Sequence, residues 1–507
     1  MSQSNMTITK GGLLASNTFY SLLSQVLPLS VAIFSIPLLI NGLGVERFGV
    51  LTLVWMVTGY YSLFDFGVGR ALTKMVSERL GAGNVKEIPA LVWTALFFVL
   101  LMGLVGTLLV SAISPYLARE ILQIPPEMQT ETLNVLYLLA VSIPIVISAT
   151  SLRGVLEAYQ RFAYISIVRT PVGILTFLSP LLVLPFSQSL FYIVAALLVV
   201  RIVEWLAYLL FCFRVIPSLR NDIAPQRTLL RPLISTGGWM TVSNIVGPTM
   251  LYLDRFLISG IISLSAVAYY TTPYEVLNRL MIIPGALVGV LFPAFSHSFE
   301  HDRNHTTMMF CRGVKYTFIA MFPVIFVVIT LAYEGLELWL GSEFAQNSTS
   351  VLQLLAIGAL FNSITYIPYA LVQAGGRSDL TAKLHFIEFP FYLLAIWWLT
   401  SNYGIEGAAF AWALRLAVDA LILYGMAQRM LNINLLNIKF ILFAIGVIFF
   451  LLVSAVLPAD MTLKSLFLLL TILAFVLVAW FKMLSSDERL FVHNYINAKV
   501  TLIFKGK

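Results

Sequence analysis

Apolar runs of about twenty residues or more follow one another along the whole chain, and the gaps between them hold most of its arginine and lysine. A helix needs about 20 such residues to cross the hydrocarbon core of a bilayer. That pattern restricts the chain to a polytopic membrane protein. The composition agrees: 59% of the 507 residues are hydrophobic and 11% are charged, against about 25% charged in soluble domains. A soluble multidomain fold, a disordered chain and a disulfide scaffold are excluded. The two cysteines, Cys212 and Cys311, lie in an apolar run and beside a basic loop, with neither disulfide nor zinc spacing.

The expected fold is all-α, with fourteen transmembrane helices over 13–40, 47–69, 88–112, 132–152, 163–185, 189–213, 233–260, 265–293, 312–333, 350–373, 380–401, 405–428, 438–457 and 463–482. The first stretch is too long for a signal-peptide core and lacks a small-residue cleavage site, so it reads as a retained span. With the N-terminus inside, 23 of the 31 basic residues fall in inner segments and three, Arg47, Arg119 and Lys464, in outer ones. This obeys the positive-inside rule and puts both termini in the cytoplasm. The net charge of +7 therefore reads as topology and not as a nucleic-acid surface. Several spans carry proline, such as Pro144, Pro171 and Pro368, which kinks a helix and is tolerated when neighbouring helices satisfy the freed backbone.

A weak internal repeat accompanies this count. Gly11-Gly12 and Ser16-Asn17 resemble Gly237-Gly238 and Ser243-Asn244, and further on Ala158 falls over Ala374 and Arg201 over Arg415. Spans 1–6 and 7–12 then form two parallel six-helix lobes, over 1–215 and 216–431, with spans 13–14 and a cytoplasmic tail over 432–507. Transporters built from such repeats hold substrate between the lobes near the midplane.

Three segments carry a family resemblance: Asn41-Gly42-Leu43-Gly44-Val45-Glu46-Arg47-Phe48-Gly49, Asp65-Phe66-Gly67-Val68-Gly69-Arg70-Ala71-Leu72-Thr73-Lys74, and Gln160-Arg161-Phe162. Together with the span count, the chain resembles the polysaccharide-exporter (Wzx-type, O-antigen) flippases of the multidrug/oligosaccharidyl-lipid/polysaccharide superfamily. The resemblance implies a bacterial inner-membrane protein that moves undecaprenyl-diphosphate-linked oligosaccharides to the periplasmic leaflet for surface polysaccharide biosynthesis. It also implies membrane lipids and the polymerase and chain-length proteins of the same pathway as partners, and no nucleic acid. Drug/cation antiporters of the superfamily often use an acid in span 1, and lipid II flippases carry arginines there. Residues 13–40 contain neither. An ion-coupled exporter of small molecules from the same superfamily is the alternative.

Five arginines lie within spans: Arg169, Arg201, Arg255, Arg279 and Arg415. Six acids lie within or at the ends of spans: Asp65, Glu204, Asp254, Glu275, Glu388 and Asp419. A charge at bilayer centre costs about 2.5–3.5 kcal/mol on insertion scales, so such groups pair or face a polar cavity. Arg201 with Glu204, Glu275 with Arg279, and Arg415 with Asp419 are spaced to share a helix face. Arg201, Arg415, Arg279 and Arg255 are the candidate diphosphate or sugar contacts, because guanidinium grips phosphate bidentately and stays charged. Glu204, Asp419, Glu275 and Asp254 either balance those arginines or couple transport to H+ or Na+. The competing reading is that each arginine is neutralised by its own acid and locks helices together. Arg201 and Arg415 are favoured as cavity lining because they are repeat mates at matching depth. Arg169, near the inner edge, is expected to snorkel, although its repeat mate falls near His385.

No cofactor is expected, and no enzyme. The sequence has no phosphate-binding G-x-x-x-x-G-K-[ST], no dinucleotide fingerprint and no Ser/His/Asp constellation. A glycosyl-transfer enzyme is disfavoured because the outer connections, around 115–130 and 334–349, read as short acidic loops. His297, His301 and His305 share a face only if the helix continues through them, and a hydrophilic loop is the stronger reading, with no metal. Gly285-x-x-x-Gly289 is expected to pack helices closely.

Overall fold

A computed structural model describes residues 27–28, 30–61, 68–122, 124–221, 223, 225–233, 250, 253–299, 302–433, 438–456 and 460–490. Among them the structure is helical, with no strand, and nine helices are long and apolar enough to cross a membrane. The protein is a multi-pass membrane protein. The expected spans 13–40 and 233–260 fall largely outside the described residues, as do Asp65 and His301. The chain divides into two compact units at Thr271 and Thr272.

The first unit contains α1 (Ser30–Leu43), α2 (Val45–Tyr60), α3 (Val68–Gly81), α4 (Ile88–Tyr116), α5 (Pro126–Ala158), α6 (Phe162–Val183), α7 (Leu190–Val215) and α8 (residues 253–261). Helix α5 is its spine and touches α2, α3, α4, α6 and α7. Lipid is as apolar as leucine, so close backbone approach and interhelical hydrogen bonds drive this packing. Gly103 of α4 permits such an approach, since a Cβ there would stand 2.6 Å from Pro144 Cα of α5. One turn along, Thr107 Oγ1 donates across the same seam to the Ala140 carbonyl at 2.7 Å. Tyr61, at the end of α2, donates to the Leu139 carbonyl at 2.7 Å and accepts from Ser142 at 3.0 Å.

The unit boundary falls within α9 (Leu264–Leu280). The second unit continues through α10 (Ile282–Ser298), α11 (Arg303–Thr330), α12 (Ala332–Leu340), α13 (Ser342–Ala374), α14 (Ser378–Leu431), α15 (Ile438–Ala455) and α16 (Met461–Val478). Here α13 is the spine, in contact with α10, α11, α12 and α14. Helix α14 is two rods joined at Gly404, whose φ of 63° and ψ of −147° are closed to most L-residues. A Cβ on Gly407 would strike the Leu399 carbonyl, so the second rod folds back along the first. These rods are the expected spans 380–401 and 405–428. A phenylalanine ladder fastens α15 and α16 to α11: Phe322 to Phe475 at 4.7 Å, Phe326 to Phe450 at 5.5 Å and Phe450 to Phe467 at 6.0 Å between ring centroids.

Three expectations need correction. The stretch 334–349 is not a loop: α12 runs through 334–340 and α13 takes over from Ser342, with Gly341 at φ 93° between them. The residue that anchors it is Glu334, which accepts from the buried Lys464 of α16 at 2.6 Å. The Gly285/Gly289 pair makes no close packing contact among the described residues, where a Cβ at either would meet no atom within 4 Å. Close approach in this unit occurs at Gly313 and Gly358, where a Cβ would stand 2.7 Å from Leu291 and 2.6 Å from Trp412. Finally, the Arg415–Asp419 pair does not close, as described below.

Candidate functional site

In the first unit the Arg201–Glu204 pair closes as the i,i+3 spacing on α7 requires. Arg201 Nη1 donates to Glu204 Oε2 at 2.9 Å, with the two side chains 25% and 15% exposed. Arg201 also forms one wall of a small cleft of about 20 Å³ whose polar lining is Trp55, Thr58, Ser142 and Thr176. That volume holds about one water. The hydroxyls of Thr58 and Thr176 are spent on their own helices, on the Val54 and Val172 carbonyls. The arginine is therefore the charged group of a narrow polar niche in an otherwise apolar bundle.

Asp254 and Arg255 behave differently. Both are fully buried, with Arg255 Nη1 3.3 Å from Asp254 Oδ1, and Tyr270 donates to the other carboxylate oxygen at 2.7 Å. Arg169 is exposed on α6. On α9, Glu275 is half-buried and Arg279 exposed.

The second unit holds a polar cluster between the two rods of α14. His385, Glu388 and Tyr392 follow at i, i+3 and i+7 on the first rod, which puts them on one face. Arg415 and Asp419 face them from the second rod. The Arg415 guanidinium lies over the Tyr392 ring, 5.1 Å from its centroid, a cation–π arrangement worth about 0.5–2 kcal/mol. Its Nε and Nη1 are buried without a hydrogen-bond partner among the described residues. Among the described residues Asp419 forms no ion pair with Arg415, and its Oδ1 stands 3.9 Å from His385 Nε2. Glu388 is 8% exposed, and both its carboxylate oxygens lack a hydrogen-bond partner. The donor atoms of His385, Glu388 and Asp419 all lie within 4.8 Å of one another.

Sequence reasoning missed this as a cluster, although the signal was present. A histidine, an acid and a tyrosine recur at helical spacing within an apolar span, opposite the Arg415/Asp419 pair across a tight turn. Of the trio His297, His301 and His305, His301 lies outside the described residues. Helix α10 ends at Ser298 and α11 starts at Arg303, and His305 is exposed at the start of α11. Its backbone N–H donates to Asp302.

The same unit contains a cavity of about 260 Å³ lined almost wholly by apolar side chains, among them Phe310, Val314, Phe318, Ile364, Tyr424 and Leu451. Lys315 and Met483 stand at its edge. Lys315 Nζ donates to Glu488 Oε2 at 2.6 Å, and Arg312 Nε lies 3.3 Å from Glu488 Oε1. Tyr316 donates to the same carboxylate, and the Ser485 N–H completes its shell at 2.9 Å.

Residues 14–299 match the model of a family described as polysaccharide biosynthesis protein. The chain belongs to this family. It is 31% identical over 427 residues to a Shigella flexneri protein named for O-antigen transport, covering 82% of this chain and 98% of that one. Two solved structures share the fold. One is an inward-facing multidrug-resistance transporter of the MATE family, with TM-score 0.69 and 14% identity over 81% of this chain and 98% of the other. The second is the lipid II flippase MurJ in an inward closed conformation, with TM-score 0.69 and 15% identity over 92% of this chain and 99% of the other.

Proposed function

We propose that the protein is a bacterial inner-membrane flippase that carries undecaprenyl-diphosphate-linked oligosaccharide units from the cytoplasmic to the periplasmic leaflet. The product supplies O-antigen, capsule or exopolysaccharide assembly, where polymerase and chain-length proteins of the pathway are its partners. The observation that carries this reading is Arg415. It sits mid-way along an apolar rod, as Arg201 sits mid-way along α7, its repeat mate. Two of its buried N–H groups have no acceptor. A buried guanidinium with unspent donors is costly unless an anion meets it, and a diphosphate accepts the planar fork bidentately.

The remaining chemistry of the substrate has a counterpart too. The polyprenyl chain needs an apolar surface, and the cavity edged by Lys315 offers about 260 Å³ of it. Transport is by alternating access, with both termini in the cytoplasm and no catalytic step. The Glu488 cluster at one end of α11 and the Glu334–Lys464 pair beyond the other then mark the cytoplasmic and periplasmic sides. Arg255, closed in by Asp254 and Tyr270, holds helices, whereas Arg201 and Arg415 carry the diphosphate.

Complementation of a flippase-null strain tests the proposal. Arg201→Ala and Arg415→Ala are each expected to cut surface polysaccharide at normal protein level, and their combination to abolish it. Full display by the double variant overturns the diphosphate role. Full transport of a small-molecule cation by a protein that fails to complement favours the exporter instead.

A further inference from the structure

Among the described residues, three buried carboxylate oxygens, both of Glu388 and Oδ1 of Asp419, accept no hydrogen bond, although each side chain is more than nine-tenths buried. Unpaired carboxylates at such depth cost several kcal/mol. The neighbouring Arg415 stacks on Tyr392 and donates to none of these three oxygens. One oxygen of each carboxylate and a ring nitrogen of His385 lie within 4.8 Å of one another between the rods.

The repeat sharpens this. At offsets of 214 to 216, Arg201 corresponds to Arg415, Glu204 to Asp419, Arg169 to His385 and Val172 to Glu388. The first repeat thus places two fixed cations and one carboxylate where the second places one fixed cation, an imidazole and two carboxylates. With the imidazole neutral, the first set sums to +1 and the second to −1. The second repeat has lost a built-in cation and gained an acid.

We propose that His385, Glu388 and Asp419 bind one divalent metal ion of the zinc class between the two rods of α14. Three donors at most 4.8 Å apart surround a point no more than about 2.8 Å from each, so a contraction of at most about 0.7 Å per side chain reaches zinc bond lengths of about 2.0–2.1 Å. The donor set selects the ion. Imidazole suits zinc, cobalt and nickel, whereas calcium and magnesium demand oxygen shells. Three protein ligands leave a position for water. The His385 side chain, 31% exposed, gives the ion a way in. Bound there, the ion cross-links the two rods and fixes the carboxylates beside Arg415.

The test uses full-length protein in detergent, stripped with chelator and titrated with Zn2+ and with Co2+. The expected result is one ion per chain, with a cobalt d–d spectrum of low coordination number. Glu388→Gln, Asp419→Asn and His385→Gln should each weaken binding about tenfold or more, by comparison with the loss seen even for outer-shell changes. His305→Gln, on the exposed start of α11, should leave it unchanged. The proposal is overturned if the parent protein takes up no stoichiometric metal, a result that needs no variant to fold. It is equally overturned if the carboxamide variants bind with parental affinity, or if excess NaCl displaces the ion and stabilises the protein by itself. None of these outcomes touches the flippase reading, which rests on Arg201 and Arg415.

Discussion

Glu488→Gln isolates how the chain after α16 is held. The carboxylate is 10% exposed and meets Lys315, Arg312, Tyr316 and the Ser485 N–H. Partial burial pushes its pKa up, but the hydrogen bonds from Lys315, Tyr316 and Ser485 outweigh that and hold it at about 2. The ordinary carboxylate value is about 4.3, so the difference sets a ceiling of about 3 kcal/mol. Arg312 is 43% exposed, and solvent screening reduces the usable part to about 1–2 kcal/mol. A depressed pKa stabilises the folded form fully above the unfolded value. The contribution therefore holds above about pH 4.3 and is lost as the pH falls toward 2. Amide hydrogen exchange over residues 484–490 reads it directly: Glu488→Gln should speed exchange about tenfold near neutral pH, since 1.4 kcal/mol is a factor of ten. In the variant this segment should also lose its acid sensitivity. Parental protection in Glu488→Gln would refute the reasoning.

Further predictions concern packing and the cavity. Gly358→Val should lower the melting temperature, because its Cβ would stand 2.6 Å from Trp412 and 3.0 Å from Ala413 Cα, an overpacking that costs about 1–3 kcal/mol. Gly285→Ala, facing open space, should raise it slightly, by the roughly 0.5–1 kcal/mol that separates alanine from glycine within a helix. Tyr61→Phe should cost about 1 kcal/mol in the same assay by removing the bond to the Leu139 carbonyl. Leu451→Trp fills part of the apolar cavity. It should slow flipping of a full-length polyprenyl substrate while sparing a short-chain analogue, as measured in proteoliposomes.

The helical framework was legible because the bilayer requires it. Runs long enough to cross left few alternatives, and charge clusters divided them, so even the α14 hairpin was expected as two spans around Gly404. The α12 segment was misread because its acids, Glu334 and Glu337, resemble a loop; its helix depends on Lys464, which lies 130 residues away. The Gly285/Gly289 motif misled because spacing identifies a face and not what lies against it. The i,i+3 pair Arg201/Glu204 was readable from one helix alone. The surroundings of Arg415 and Asp419 were not, because Tyr392 and His385 meet them from the opposite rod. The cavity beneath α15 could not be read at all, since it exists only where side chains of four helices and the α16 end fail to fill space.

The central claim is that Arg201 and Arg415 carry the diphosphate of a lipid-linked oligosaccharide across the membrane. The most direct measurement is flipping of undecaprenyl-diphosphate-linked oligosaccharide in proteoliposomes containing the purified protein, with and without an imposed H+ or Na+ gradient. The parent protein should flip the lipid, and the Arg201→Ala/Arg415→Ala variant, correctly folded, should not. Equal rates for the two proteins, or no flipping by the parent under any gradient, would contradict the account.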